Sequence, residues 1–204
     1  LTDKMTRLSN GDLDVEIAGL HRGDEIGEIA RALEVFRRNS LESRDANWVK
    51  LSVGEVGAEL QTAQTPAGYA QALVSQIAPR IDAPIGVFFA WDESENLLRL
   101  QGSYGFQRRK HLGLQYGLGD GLIGQAALER KRISVQQVPD EFFGVHSALG
   151  EAQPRNLVAV PLLLKGRLLG VFEFGTFAHF TATQEAFVDS VLPTVALGLD
   201  NIRR

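Results

Sequence analysis

The sequence contains no cysteine. That absence removes disulfides, thiolate metal sites, cysteine nucleophiles and thioether-linked cofactors together, and it suits a reducing compartment. No apolar run approaches the length of a membrane span, and no signal-peptide pattern opens the chain. The first residue is Leu1, as expected of a piece of a longer protein. Histidine is scarce: His21, His111, His146 and His179 are scattered with no i, i+4 pair, so no metal site is expected. Basic residues are not in excess. The net charge is −4 over 204 residues, and the clusters at 108–111 and 130–132 read as solvated loop and helix ends. A nucleic-acid surface is therefore not expected. The nucleophile elbow G-x-S-x-G is missing. Gly117 to Gly121 reads GLGDG, which lacks the spacing and the lysine of a phosphate loop, so it is a turn before a helix. No catalytic residue can be named.

What is present is enough apolar sequence, 44% of residues, for one well-cored domain and a smaller element. The chain is organised around residues 156–175, NLVAVPLLLKGRLLGVFEFG. Two apolar runs meet at Lys165-Gly166, where glycine can supply the positive φ of a two-residue hairpin loop. Runs this apolar suit central strands covered on both faces. Pro161 has no N–H to give to a ladder, so a bulge or an open edge is expected near it. Within the second run, Gly170, Phe172 and Phe174 share one face, and Leu169, Val171 and Glu173 the other. A charge on a covered strand must be paired or near water. Glu173 therefore marks a pocket face, and the two phenylalanines a helix-packed face.

Ahead of this core the pattern is helical. Leu1, Met5 and Leu8 form a stripe that Gly11 ends. A second helix opens near Asp24 and Glu25, and its apolar residues Ile26, Ile29, Leu33 and Phe36 follow the 3-4-3 spacing of a coiled-coil seam. Two short helices with narrow seams need a partner, most simply a second copy. Residues 39–64 continue the helix with a change of apolar register and with Gly54 and Gly57 as weak points. Thr65-Pro66 starts another helix, with Tyr69, Leu73, Ile77 and Ile81 on its buried face. Strands follow at 84–91 and 97–104, then an irregular stretch at 106–118, a short helix at 122–128 and a strand at 133–138. Residues 139–154 read as a lid or loop. After the hairpin, Thr181 and Gln184 are spaced as a capping box. Val188, Leu192, Val195, Leu199 and Ile202 make a 4-3-4-3 stripe, with Pro193 inside that helix as an expected kink.

These motifs carry two family resemblances. LSNGDLDVEI followed by DEIGEIARALEVF resembles a HAMP domain: Gly11, Leu13 and Ile17 match its connector, and Asp24, Glu25 and Gly27 the step that opens its second helix. The match covers residues 1–39, the C-terminal part of such a domain. YGLGDGLIGQAALERK, RISVQQVP, PRNLVAVPLLLKGRLLGVFEFG and FTATQEAFVDSV together resemble a GAF domain over residues 40–204. The resemblance implies an α+β fold: an antiparallel sheet of five or six strands with flanking helices, preceded by a helical HAMP or coiled-coil segment. It divides the chain into 1–39, partial HAMP relay helices; 40–64, a linking signalling helix; and 65–204, a GAF-type sensory domain ending in an output helix.

The same order of domains occurs in membrane-bound sensors, most often histidine kinases of two-component systems. The resemblance thus implies a non-catalytic fragment on the cytoplasmic side of an inner-membrane protein, relaying signals to an output domain beyond Arg204. Bilin attachment and the sulfoxide-reductase chemistry of some GAF folds both need cysteine, which this chain lacks. No cofactor is expected. Two readings stand open: a GAF domain that takes a small regulatory ligand, and a ligand-free dimerisation spacer. Candidate pocket residues are Phe89, Trp91, Tyr104, Phe142, His146, Arg155 and Glu173. The face that Phe89 and Trp91 share is not decided by spacing alone. The expected homodimer seam comprises Met5, Leu8, Ile26, Ile29, Leu33 and Phe36 with Val188, Leu192, Val195, Leu199 and Ile202.

Overall fold

The computed structural model describes residues 2–105, 113–138, 145–147 and 150–204. The chain forms two compact units, Leu1–Lys50 and Leu51–Arg204. In the first, α1 (Thr2–Ser9) ends at Gly11, whose φ of 84° is the left-handed conformation a helix stop requires. The connector then folds back. Leu8, Val15, Ile17 and Ala30 are buried together, with Leu13 and Leu33 packed against them. The Asp-Glu-x-Gly step has a physical account. Asp24 accepts from the Gly27 N–H at 3.1 Å, capping the helix that follows. A Cβ at position 27 would lie 2.1 Å from the Arg22 carbonyl oxygen, so only glycine lets the connector come this close.

That helix, α2 (Glu25–Leu60), is continuous. The expected change of register near residues 39–46 falls inside it without a break in helical backbone, and Gly54 and Gly57 do not interrupt it. Tertiary packing outweighs the cost of about 1 kcal/mol per glycine.

The second unit is built on a six-stranded antiparallel sheet. Its strands are β1 (Ile85–Asp92), β2 (Leu97–Tyr104), β3 (Gln115–Tyr116), β4 (Ile133–Gln136), β7 (Asn156–Leu164) and β8 (Arg167–Thr176), in the spatial order β3-β2-β1-β8-β7-β4. Three helices cover it: α3 (Pro66–Arg80), α4 (Gly121–Glu129) and α5 (Ala182–Arg203). α3 lies over β1 and β2, and α5 over β7 and β8; α4 packs against β3, β7 and β8. Thr65 caps α3 through the Gly68 N–H at 3.0 Å, and Thr181 with Gln184 forms the capping box of α5. The region read as a lid carries a small hairpin instead, β5 (Val145–Ser147) with β6 (Gly150–Ala152). β3 was not expected within the irregular stretch.

The β7–β8 hairpin turns at Lys165 and Gly166, both at positive φ (50° and 79°), as a type I′ loop requires. Pro161 lies two residues beyond Ala159, the last β7 residue paired with β4, and a register shift follows between Leu162 and Leu163. The proline thus stands where the β4 ladder has ended.

Candidate functional site

The register sorts the two sheet faces. Phe88 pairs with Phe172 and Gly86 with Phe174. The Phe88 and Phe172 ring centroids are 4.6 Å apart, and Phe172 stacks on Phe174 at 5.6 Å. A Cβ at Gly102 would lie 2.4 Å from the Ala70 carbonyl oxygen, and one at Gly86 would touch Val74. This face is therefore pressed against α3. Tyr69 of α3 donates to the Val195 carbonyl of α5 at 3.1 Å, and burial pushes its phenol up to about 12. The phenylalanine face is helix-packed, as the alternation requires.

Val87 pairs with Glu173 and Phe89 with Val171. Phe89 and Trp91 therefore belong to the face of Glu173, which spacing alone left undecided. This face is apolar. Val87, Phe89, Leu98, Ala159, Leu168 and Val171 form a cluster with Ile123, Ala126 and Ala127 of α4, and Trp91, Leu100 and Tyr116 pack on its edge. Gly124 lets α4 close on the turn before it, since a Cβ there would lie 2.3 Å from the Gly117 carbonyl oxygen. Asp120 accepts from the Gly117 N–H at 2.9 Å, so GLGDG is a closed turn ahead of the helix.

Glu173 sits on β8 between Val87 of β1 and Ala159 of β7. Burial pushes its carboxyl up to about 7, from an ordinary 4.5, and no cation among the described residues offsets that shift. Tyr116 is its titratable neighbour; burial and then the Glu173 charge both hold the phenol above its ordinary range. The Tyr116 ring meets Phe89 edge-on at 5.2 Å. Tyr116 was missed in the sequence because nothing local marks a two-residue strand. The arrangement presents one half-buried carboxylate beside aromatic and aliphatic carbon. Such a group can hold a proton near neutrality or pair with a positive group brought to it.

Not all the expected residues join it. Tyr104 pairs with Gly86 and so lies on the opposite face. The cause is a bulge: Phe88 faces Gly102 but Phe89 faces Leu100, so Gln101 is extra and inverts the alternation of β2 beyond it. Arg155 is exposed at the start of β7, its N–H bonded to the Thr176 carbonyl at 2.9 Å. The backbone of His146 lies in β5, but its side chain and the whole of Phe142 lie outside the described residues. Among the described residues, no group of histidine and carboxylate side chains is arranged to hold a metal ion.

The expected seam divides. Ile29 is 44% exposed and Phe36 55%, and Met5 and Ile26 are exposed with them. Leu8 is buried within its own unit, and Leu33 packs on the same cluster. On α5 the seam expectation is corrected. Val188, Val195 and Leu199 are fully buried within the unit, while Leu192 and Ile202 are partly covered. A stripe at 4-3 spacing is what a helix needs to pack on any apolar surface, and here that surface is its own sheet. Leu197 is instead the exposed apolar residue, bordering a groove of about 470 Å³ with Leu60, Tyr69 and Ile202.

Comparison with known proteins places these features. The HAMP domain model matches residues 1–39 and the GAF domain model residues 63–200. A stretch of 41 residues is 51% identical to "Probable chemoreceptor y4sI" of Sinorhizobium fredii (strain NBRC 101917 / NGR234); it is 20% of this chain and spans 5% of that relative. Among solved structures, the GAF domain of a phosphoenolpyruvate-protein phosphotransferase from Coxiella burnetii superposes with a TM-score of 0.62 at 18% identity, covering 76% of this chain and 94% of that one. The corresponding Acinetobacter domain gives 0.60 at 13% identity, covering 74% and 92%. The free methionine-R-sulfoxide reductase of Neisseria meningitidis, solved with its substrate, gives 0.58 at 16% identity, covering 76% and 90%. At these identities the likeness is one of fold. HAMP and GAF domains are regulatory parts of signal-transduction proteins, and this chain, with its HAMP domain at residues 1–39, belongs to the GAF domain family.

Proposed function

We propose that this chain is the relay and sensory part of a membrane-anchored signalling protein, without catalysis of its own. In this reading the HAMP unit receives a conformational change from a membrane segment, and the GAF domain adds the state of a small ligand held on its Glu173 face. The observation that carries the sensory half is Glu173 itself. A carboxylate on a central strand with no cation beside it among the described residues costs stability, and such a cost is expected at a binding site. The parent is a homodimer. Support comes from Met5, Ile26, Ile29 and Phe36, apolar residues exposed along the HAMP helices. A histidine kinase of a two-component system is the favoured parent, with both units on the cytoplasmic side. No helix among the described residues is long and apolar enough to cross a membrane.

One observation favours the ligand-free spacer. Phe89 is almost wholly buried, so much of the Glu173 face is already filled by the protein. Native mass spectrometry of the chain purified from cells separates the two readings. A dimer carrying a retained small molecule supports the sensor, a bare dimer supports the spacer, and a monomer at tens of micromolar removes the dimer from both.

The relay half rests on the continuous α2. Deleting one residue within 40–46 turns everything beyond by roughly 100°. In the parent that deletion is expected to lock output on or off, whereas a seven-residue deletion preserves it. Equal responsiveness of both would mean that α2 is a tether.

A further inference from the structure

The Glu173 surroundings restrict what can satisfy the carboxylate. β8 is a central strand, with ladders to β1 on one side and β7 on the other. Its neighbours' backbone donors are thus committed to the sheet. Directly opposite Glu173 stand Val87 of β1 and Ala159 of β7, flanked on that face by Ile85 and Phe89 and by Leu157 and Pro161. α4 covers the same face with Ile123, Ala126 and Ala127, none of which can donate. Among the described residues, the titratable group that interacts with Glu173 is the Tyr116 phenol of β3. Among the described arginines, Arg132 is paired with Glu185 and Asp189 of α5, and Arg167 with Asp200.

We propose that the Glu173 face binds a small organic cation, its ammonium or amidinium group paired with the Glu173 carboxylate and lying against the Phe89 and Tyr116 rings. This rests on the reading of that face as the ligand site. The chemistry follows from three observations. Among the described residues nothing neutralises the carboxylate, so an anion would be repelled, and more strongly than in bulk water. A cation supplies the missing charge, and its donors fill the carboxylate's acceptor sites. Phe89 and Tyr116 offer two rings within one cluster, and aromatic faces attract a desolvated cation. The ligand's carbon would meet the partly buried edge of the cluster at Trp91 and Leu100. A second consequence is pH dependence. Below about 7 the carboxyl is neutral in the free protein, so cation affinity falls as pH is lowered.

The test uses three matched probes on the whole chain: benzylammonium chloride, benzyl alcohol and sodium benzoate, followed by calorimetry or by NMR shifts. At pH 8 benzylammonium is expected to bind about tenfold or more tighter than benzyl alcohol, the advantage of one added charge-assisted contact. The preference should vanish in Glu173→Gln at pH 8, and in the unchanged protein at pH 5.5. Phe89→Leu, which keeps the charge, should lower it in part. If benzyl alcohol or benzoate binds as tightly as benzylammonium at pH 8, the cation inference falls while the ligand site stands. If a preference for benzylammonium survives Glu173→Gln, the site is not at Glu173 and the inference falls too. If none of the three binds, the inference is overturned, and native mass spectrometry then decides separately whether the face holds any ligand.

Discussion

The two faces of the GAF sheet are made from alternate residues of the same strands, and they differ in one respect above others. The face under α3 carries phenylalanine and glycine: Phe88, Phe172 and Phe174 fill it, and glycines at 86, 102 and 170 leave room for them and for the helix backbone. The face under α4 carries aliphatic and small residues and one carboxylate. The first arrangement maximises contact, since each buried ring removes a large apolar area from water. The second gives up part of that gain to keep an ionisable group in a setting that disfavours its charge. The comparison teaches that fold stability and candidate function are divided by strand parity, one residue apart.

The largest test is on the stability face. Phe172→Ala removes a ring that touches Phe88 and stacks on Phe174 at 5.6 Å. It is expected to destabilise the GAF unit by about 3–5 kcal/mol in urea unfolding. A loss under about 1 kcal/mol would mean that this face is not where stability resides.

The smaller test has the opposite sign. Because burial raises Glu173 from 4.5 to about 7, the native chain holds that proton more tightly than the unfolded chain does. Stability therefore falls as pH rises from about 4.5 to 7 and stays lower above that range. Glu173→Gln should accordingly stabilise the unit at pH 8 by up to about 3 kcal/mol. At pH 4.5 the gain should be close to nil. If the glutamine variant instead loses several kcal/mol at pH 8, Glu173 has a structural partner and the contrast between the faces fails.

Much of this was legible because it is local. Thr65-Pro66 and the Thr181–Gln184 box mark helix starts through hydrogen bonds within one turn. Lys165-Gly166 marks a tight hairpin through backbone conformation alone. The opposition of Glu173 to Phe172 and Phe174 follows from the two-residue period of a strand, which holds from Gly170 to Thr176; the bulge at Leu169 breaks it, so Leu168 and not Leu169 joins the Glu173 face. Tyr104 shows the limit of the same reasoning. Counted along β2 it belongs with Leu98 and Leu100, yet the extra residue at the bulge carries it to the other face.

What surrounds each element was decided only in three dimensions. The stripe on α5 reads as a dimer seam, and the stripe along residues 26–36 reads the same way. The first is covered by the chain's own sheet, while Ile26, Ile29 and Phe36 of the second remain exposed. Periodicity states that a helix has an apolar face; it does not state what will cover that face. Likewise, Glu173 stood out in the sequence as a charge in an apolar strand, but its neighbour Tyr116 comes from a distant two-residue strand, and the helix above it from another segment again. Alternation along one strand fixes which side a residue takes. Pairing between strands, with its bulges and edges, fixes which side chains meet there, and pairing is a property of the assembled sheet.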